Sequence, residues 1–186
     1  MRLFVALDLS DAVRTEIAKF CETLRAEFPS ARWVRSEGIH VTLKFIGELE
    51  DDRVEKIENA LSIVASNAPV EMSFRGTGFF PNERRARVFW IGIEATPNLA
   101  EIAAQVETQL EPLGIARESR EFKPHLTLAR IEELRGIEKL HEALRRHAPA
   151  DFGTFRTNEM YLYRSELGRG GAKYTRLKTF AFARQQ

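Results

Sequence analysis

Two tetrapeptides carry the side chains best suited to chemistry, His40-Val41-Thr42-Leu43 and His125-Leu126-Thr127-Leu128. In an extended strand, residues i and i+2 share a face. His40 and Thr42 therefore point one way and Val41 and Leu43 the other, and the second tetrapeptide repeats the pattern. The apolar pair anchors each strand in a core, and the His–Thr pair is presented on the opposite face. Two such strands facing each other make a cleft with an imidazole on each side and two hydroxyls between. That arrangement suits in-line displacement at phosphorus, where a nucleophile enters opposite the leaving oxygen. One imidazole takes a proton from water and the other protonates the leaving oxygen. Histidine can do both near neutral pH because its ordinary pKa is about 6.5. The hydroxyls of Thr42 and Thr127 can bond the non-bridging oxygens as their charge grows.

A cation is also wanted at such a site, and guanidinium matches phosphate geometry well. Strict alternation puts Lys44 in phase with His40. Arg130 follows His125 by five residues, so it reaches the same face only if the strand ends or bulges first. Phe45 adjoins the first tetrapeptide and is the best candidate for stacking on a base. Trp33 and Tyr163 are weaker candidates, better suited to packing. A lone histidine on a strand is ordinarily structural or merely exposed. The same tetrapeptide at equivalent positions of a repeat is not explained that way. His141 and His147 lie six apart in a helical stretch, share no face, and belong on the surface or at a helix edge. Gly168-Arg169-Gly170-Gly171 lacks the lysine and following helix of a phosphate-binding loop and reads as a plain hairpin turn. Arg84, Arg85 and Arg87 form a basic run beside a turn, which reads as a solvated face able to hold a phosphate backbone.

The elements that must position these residues form a pattern that restarts. Residues 2–8 read as a strand, and a helix capped by Ser10 follows, with Val13, Ile17, Phe20, Cys21, Leu24 and Phe28 on one face. A strand over 39–46, a helix over 51–66 and a strand over 70–80 come next. Residues 87–93 open the second round as a strand. Thr96 caps a helix beginning at Pro97, a strand covers 125–131, a helix 133–147, and strands fall near 152–163 and 173–182. An offset of 85 residues superposes Arg2-Leu3-Phe4 on Arg87-Val88-Phe89, Glu16-Ile17-Ala18 on Glu101-Ile102-Ala103, and the first His-x-Thr-Leu on the second. One offset aligning a strand, a helix and a motif is the mark of an internal repeat. The expected architecture is α/β and bilobal, with pseudo-twofold halves at roughly 1–80 and 86–165. Each half holds a β-sheet with helices packed outside, the cleft lies between them, and residues 1–186 form one domain.

Composition narrows the function further. The 186 residues are 44% hydrophobic and 30% charged with a net charge of +1, so any RNA contact must come from a local patch. One cysteine, Cys21, excludes an internal disulfide and a multi-cysteine zinc site, and fits a reducing compartment. It reads as a packed thiol. The opening MRLFVALDLSD lacks the long apolar core of a signal peptide, and a cytoplasmic protein without membrane association is expected.

The stretch Trp33-Val34-Arg35 followed by Ile39-His40-Val41-Thr42-Leu43-Lys44-Phe45-Ile46-Gly47-Glu48 resembles the first motif of the two-histidine phosphoesterases. Lys123-Pro124-His125-Leu126-Thr127-Leu128-Ala129-Arg130 resembles the second. The opening RLFVALDL and the late Leu162-Tyr163-Arg164-Ser165-Glu166-Leu167 point, within that superfamily, to the RNA 2',3'-cyclic phosphodiesterases, also known for 2'-5' RNA ligase activity. The resemblance spans essentially the whole chain. It implies metal-independent, cofactor-free opening of RNA 2',3'-cyclic phosphate ends, or of cyclic nucleotides, to 2'-phosphomonoesters, with no obligatory protein partner and a monomeric enzyme. It implies His40 as proton donor and His125 as proton acceptor, an order that the near-symmetric motifs leave open. It also implies Thr42, Thr127 and Arg130 as phosphate ligands and Phe45 as the base contact. Two other functions are compatible with these residues: 2'-5' ligation of tRNA halves at the same site, and non-catalytic binding of RNA ends. A related phosphodiesterase acting on a small cyclic nucleotide is a third.

Overall fold

The computed structural model describes residues 1–147, 151–168 and 171–182. Nine strands and four helices are described: β1 (Arg2–Leu7), α1 (Asp11–Glu27), β2 (Arg32–Trp33), β3 (Val41–Glu48), α2 (Val54–Leu61), β4 (Val70–Phe80), β5 (Val88–Ala95), α3 (Asn98–Leu110), β6 (His125–Arg130), α4 (Ile137–His147), β7 (Asp151–Thr157), β8 (Glu159–Gly168) and β9 (Gly171–Ala181). The strands build two sheets, ordered β3-β1-β8-β9 and β2-β6-β5-β4-β7, with every pairing antiparallel. The fold is mixed α/β with a sheet in each lobe, as the sequence pattern predicts.

The offset of 85 residues carries β1, α1, β3 and α2 onto β5, α3, β6 and α4. The halves interlock. β4 leaves the first sheet to pair with β5, and β8 returns to pair with β1. The helices cross over too: α1 packs on β7 and α4, and α3 packs on β3 and α2. One contiguous core results, into which Leu3, Val5 and Leu7 of β1 and Val13, Ile17, Phe20 and Leu24 of α1 all point. The Ser10 hydroxyl accepts from the Val13 amide at 3.3 Å, capping α1 as expected. Cys21 is buried in the helix face, and desolvation pushes its thiol up to about 12.

Several local expectations change. The stretch 51–66 is helical only over 51–61, as a 3-10 turn followed by α2. α4 begins at Ile137 rather than 133, directly after Gly136, whose φ of +79° is a left-handed turn that stops the helix from extending backwards. The single strand expected over 152–163 is two strands in different sheets, and the chain crosses between sheets at Asn158. Thr96 does not cap α3 with its hydroxyl. That oxygen instead accepts from the Glu71 amide at 3.0 Å, tying the end of β5 to the start of β4. The expected turn at 168–171 has Gly168 paired with Gly171, while Arg169 and Gly170 lie outside the described residues. Among the described residues no helix is long and apolar enough to cross a membrane.

Candidate active site

β3 is an edge strand of the first sheet, β6 lies one strand from the edge of the second, and the two run in contact. Both carry a β-bulge at the same place. Lys44 pairs with Val5 and Thr42 with Ala6, so Leu43 has no partner across the ladder. Ala129 pairs with Phe89 and Thr127 with Trp90, so Leu128 has none either. A bulge inserts one residue and shifts the inward–outward alternation by one. Leu43 and Lys44 are therefore both buried and Phe45 emerges. Likewise Leu128 and Ala129 are both buried and Arg130 emerges. Phe45 and Arg130 occupy equivalent positions of the repeat and rejoin the faces of His40–Thr42 and His125–Thr127.

This geometry corrects the role open to Lys44. It lies on the opposite face from His40, only 6% exposed, with its ammonium donating to Glu107 and to the Ala116 carbonyl, each at 2.6 Å. A lysine sealed into an ion pair with α3 is not available to a phosphate. The bulge that removes Lys44 is the same distortion that brings Arg130 round. The Arg130 guanidinium is exposed and has no carboxylate partner among the described residues. Thr42 and Thr127 are half-buried, and their hydroxyls make no hydrogen bond among the described residues. Phe45 is 63% exposed, with its ring 6.0 Å from Phe4.

The two imidazoles have different surroundings. His125 is half-buried and its Nδ1 lies 2.7 Å from the Lys123 carbonyl. A carbonyl only accepts, so Nδ1 carries the proton, and in the neutral ring Nε2 holds the free lone pair. The Phe80 ring meets it edge-on at 5.0 Å. His40 sits in an aromatic box: it is stacked on Phe4 at 4.7 Å and on Tyr163 at 5.6 Å, with Tyr174 edge-on at 5.0 Å. Phe4, Ala6, Tyr161 and Tyr163 form this cluster on the face of the first sheet turned away from the main core. Desolvation in the box lowers the His40 pKa from its ordinary 6.5 to about 4. The Asp8 carboxylate opposes that shift and the Arg14 guanidinium adds to it.

A stability effect follows from that shift. The folded pKa lies below the unfolded one, so the contribution of neutral His40 is fully present above about 6.5 and lost as pH falls toward about 4. Wild type is expected to lose up to about 3 kcal/mol more than a His40→Gln variant over that window. Denaturant titrations of both proteins at the two ends of the window measure the difference, and equal losses would contradict a desolvated neutral ring.

Residues that the sequence reading passed over also line the site. Asp8, Arg14 and Tyr174 adjoin His40, Arg176 is bonded to Asp8 and Tyr163 behind it, and Phe80 meets His125 with Trp90 packed against Phe80. Asp8 is visible in the sequence as the acid that follows the apolar run of β1. Gly78 faces Trp90 so closely that a Cβ there would meet the indole at 2.3 Å, so glycine is required for that ring to lie flat on β4. Trp33 and Tyr163 are packing residues: partly buried Trp33 donates from its indole to the Phe28 carbonyl at 3.0 Å, and Tyr163 backs His40. His141 packs edge-on against Phe79 at 5.2 Å, and His147 is exposed at the end of α4. Arg84 and Arg85 are exposed in a turn capped by Asn82, and Arg87 donates to the Glu132 carbonyl. Among the described residues no cluster of three or more side chains has the makings of a metal site.

Comparison with known proteins gives this geometry a family. The family model described as the 2'-5' RNA ligase superfamily matches residues 8–169. A Methanocaldococcus jannaschii protein named RNA 2',3'-cyclic phosphodiesterase is 35% identical, over 96% of this chain and 99% of its own. One of the same name from Methanothermobacter thermautotrophicus is 32% identical, over 97% of this chain and 98% of its own. Among solved structures, Escherichia coli LigT in complex with 3'-AMP is similar with a TM-score of 0.75 at 26% identity, covering 98% of both chains. With both histidine strands inside the matched span, and relatives aligned from end to end, the chain belongs to the 2'-5' RNA ligase superfamily.

Proposed function

We infer that the protein is an RNA 2',3'-cyclic phosphodiesterase that opens the cyclic phosphate to a 2'-phosphomonoester, with His40 and His125 as the acid–base pair. The observation that carries this reading is the matched pair of bulged strands, each presenting an imidazole, a hydroxyl and one further recognition group on a common face. The lone pair on His125 Nε2 supports its role as base: it takes a proton from water as the oxygen attacks phosphorus. The P–O3' bond breaks on the opposite side, and His40 delivers its proton to O3', leaving phosphate on O2'. Thr42, Thr127 and Arg130 hold the non-bridging oxygens, whose charge rises in the transition state. Phe45 offers its exposed ring to the base. His40 is neutral in the free protein near pH 7, so the anionic phosphate stabilises the imidazolium as it binds, and the acid is charged in the complex. Every group in this step is a protein side chain or water, so the step as written uses no metal or cofactor.

On this reading residues 1–186 act as one bilobal unit and as a monomer, since a single chain supplies both motifs. The substrates are RNA ends or cyclic nucleotides, and the compartment is the cytoplasm, in keeping with a lone buried thiol. Incubation with a 2',3'-cyclic mononucleotide and a chelator, followed by phosphorus NMR, is expected to give the 2'-monophosphate alone. A 3'-monophosphate would reverse the leaving oxygen. Absence of turnover, both here and on cyclic-phosphate-ended oligonucleotides, would end the reading. Ligated product dominating with paired RNA halves would favour 2'-5' joining instead.

A further inference from the structure

The two histidines are held by unlike means. His125 is tethered through its ring. The His40 ring has no hydrogen-bond partner among the described residues, and what is gripped instead is the peptide that precedes it. Arg14 of α1 donates from Nη1 to the carbonyls of Ser36 at 2.6 Å and Ile39 at 3.0 Å, closing the turn that ends at His40. Its Nη2 donates to Asp8 Oδ1 at 2.5 Å. The other oxygen, Asp8 Oδ2, accepts from the Tyr163 hydroxyl at 3.1 Å and from Arg176 at 2.7 Å. One carboxylate thus joins the guanidinium that grips the turn before His40 to the phenol whose ring lies along the imidazole. The second half has nothing equivalent, because Ile93 and Leu99 stand at the matching positions.

We propose that Asp8 and Arg14 are positioning residues for His40, a clamp built into only one half of the repeat that aims this imidazole at the leaving oxygen. The proposal rests on the acid role assigned to His40 above. The clamp fixes both supports of the ring, the backbone at Ile39 and the stacked face of Tyr163. A fork of guanidinium donors suits the task, since a lysine ammonium cannot span two carbonyls and a carboxylate in one plane. The charged and titratable groups facing His40 are Asp8, Arg14, Tyr163 and Tyr174, and Arg176 stands behind them, bonded to Asp8 and Tyr163. The Asp8 carboxylate offsets the Arg14 guanidinium there, so loss of the carboxylate leaves the imidazolium facing uncompensated positive charge.

The test compares Asp8→Asn and Arg14→Lys with an Arg53→Met control. Arg53 also donates to a backbone carbonyl, that of Leu113, away from both motifs. Steady-state kinetics on a 2',3'-cyclic mononucleotide are combined with NMR titration of the imidazoles, with the His40 signals identified by their loss in His40→Gln. Both clamp variants are expected to lower kcat about tenfold or more with KM within about twofold, the signature of a misaimed group rather than lost binding. The His40 signal moves in both and titrates at lower pH in Asp8→Asn, while His125 is unchanged. Arg53→Met keeps its kcat even if it melts earlier. A kcat within about twofold of wild type in both clamp variants, or an unmoved His40 signal, overturns the proposal. If wild type turns over neither the nucleotide nor a cyclic-phosphate-ended oligonucleotide, the proposed reaction fails, and the clamp is still judged by the His40 titration.

Discussion

Replacing His125 with alanine is expected to lower kcat on a 2',3'-cyclic mononucleotide by about 10²–10⁴-fold, the usual contribution of a positioned general base. The substitution removes a ring whose free nitrogen is fixed as an acceptor, by the bond from Nδ1 to the Lys123 carbonyl. His40→Gln is expected to fall in the same range. The double variant should be little worse than either single one, because the two rings serve one displacement. Binding of a cyclic-phosphate-ended oligonucleotide should persist, since Thr42, Thr127, Arg130 and Phe45 are untouched. Kinetics and binding measured on the same preparations separate the alternatives. Lost turnover with retained binding identifies an enzyme. Unchanged turnover in both single variants would refute two-histidine catalysis and leave an RNA-end binding module.

The second large effect concerns stability. Glu107→Ala is expected to cost about 3 kcal/mol, the low end for breaking a buried ion pair, because Glu107 retains some access to water. Lys44, 6% exposed in wild type, would be left with only the Ala116 carbonyl as a partner for its ammonium. Replacing both partners together, as Lys44→Met with Glu107→Leu, should recover most of the loss, since no unpaired charge is then buried. Urea denaturation of the three variants measures this. A Glu107→Ala protein within about 1 kcal/mol of wild type would mean that Lys44 finds water or another partner. The pair also matters beyond stability. Glu107 accepts from the Glu118 amide at 3.3 Å and Lys44 reaches Ala116, so the first motif strand is bonded to the segment that leads into the second motif.

The sequence by itself determined the α/β class, the repeat with its offset, and the candidate chemistry of His40, Thr42, His125 and Thr127. These are local or periodic properties. Alternation assigns strand faces, helical spacing assigns buried stripes, and a tetrapeptide that recurs in register needs no tertiary information to be noticed. The equivalence of Phe45 and Arg130 was legible as well, because the same offset relates them. What alternation could not supply was the bulge. Its cause is the fit of β3 against β1 and of β6 against β5, a property of paired strands and not of either sequence alone. Tertiary structure therefore decided that Lys44 turns inward to Glu107 and that Arg130 turns outward. It decided that β4 and β8 exchange sheets, because strand pairing is settled by long-range hydrogen bonding between distant segments. It also separated the two histidines that the motif makes look alike. Burial among Phe4, Tyr163 and Tyr174, with Asp8 and Arg14 brought in from elsewhere in the chain, distinguishes His40, while one carbonyl two residues away in the chain distinguishes His125. Desolvation and hydrogen bonding set the proton affinity of an imidazole, and both depend on neighbours that only the folded chain assembles.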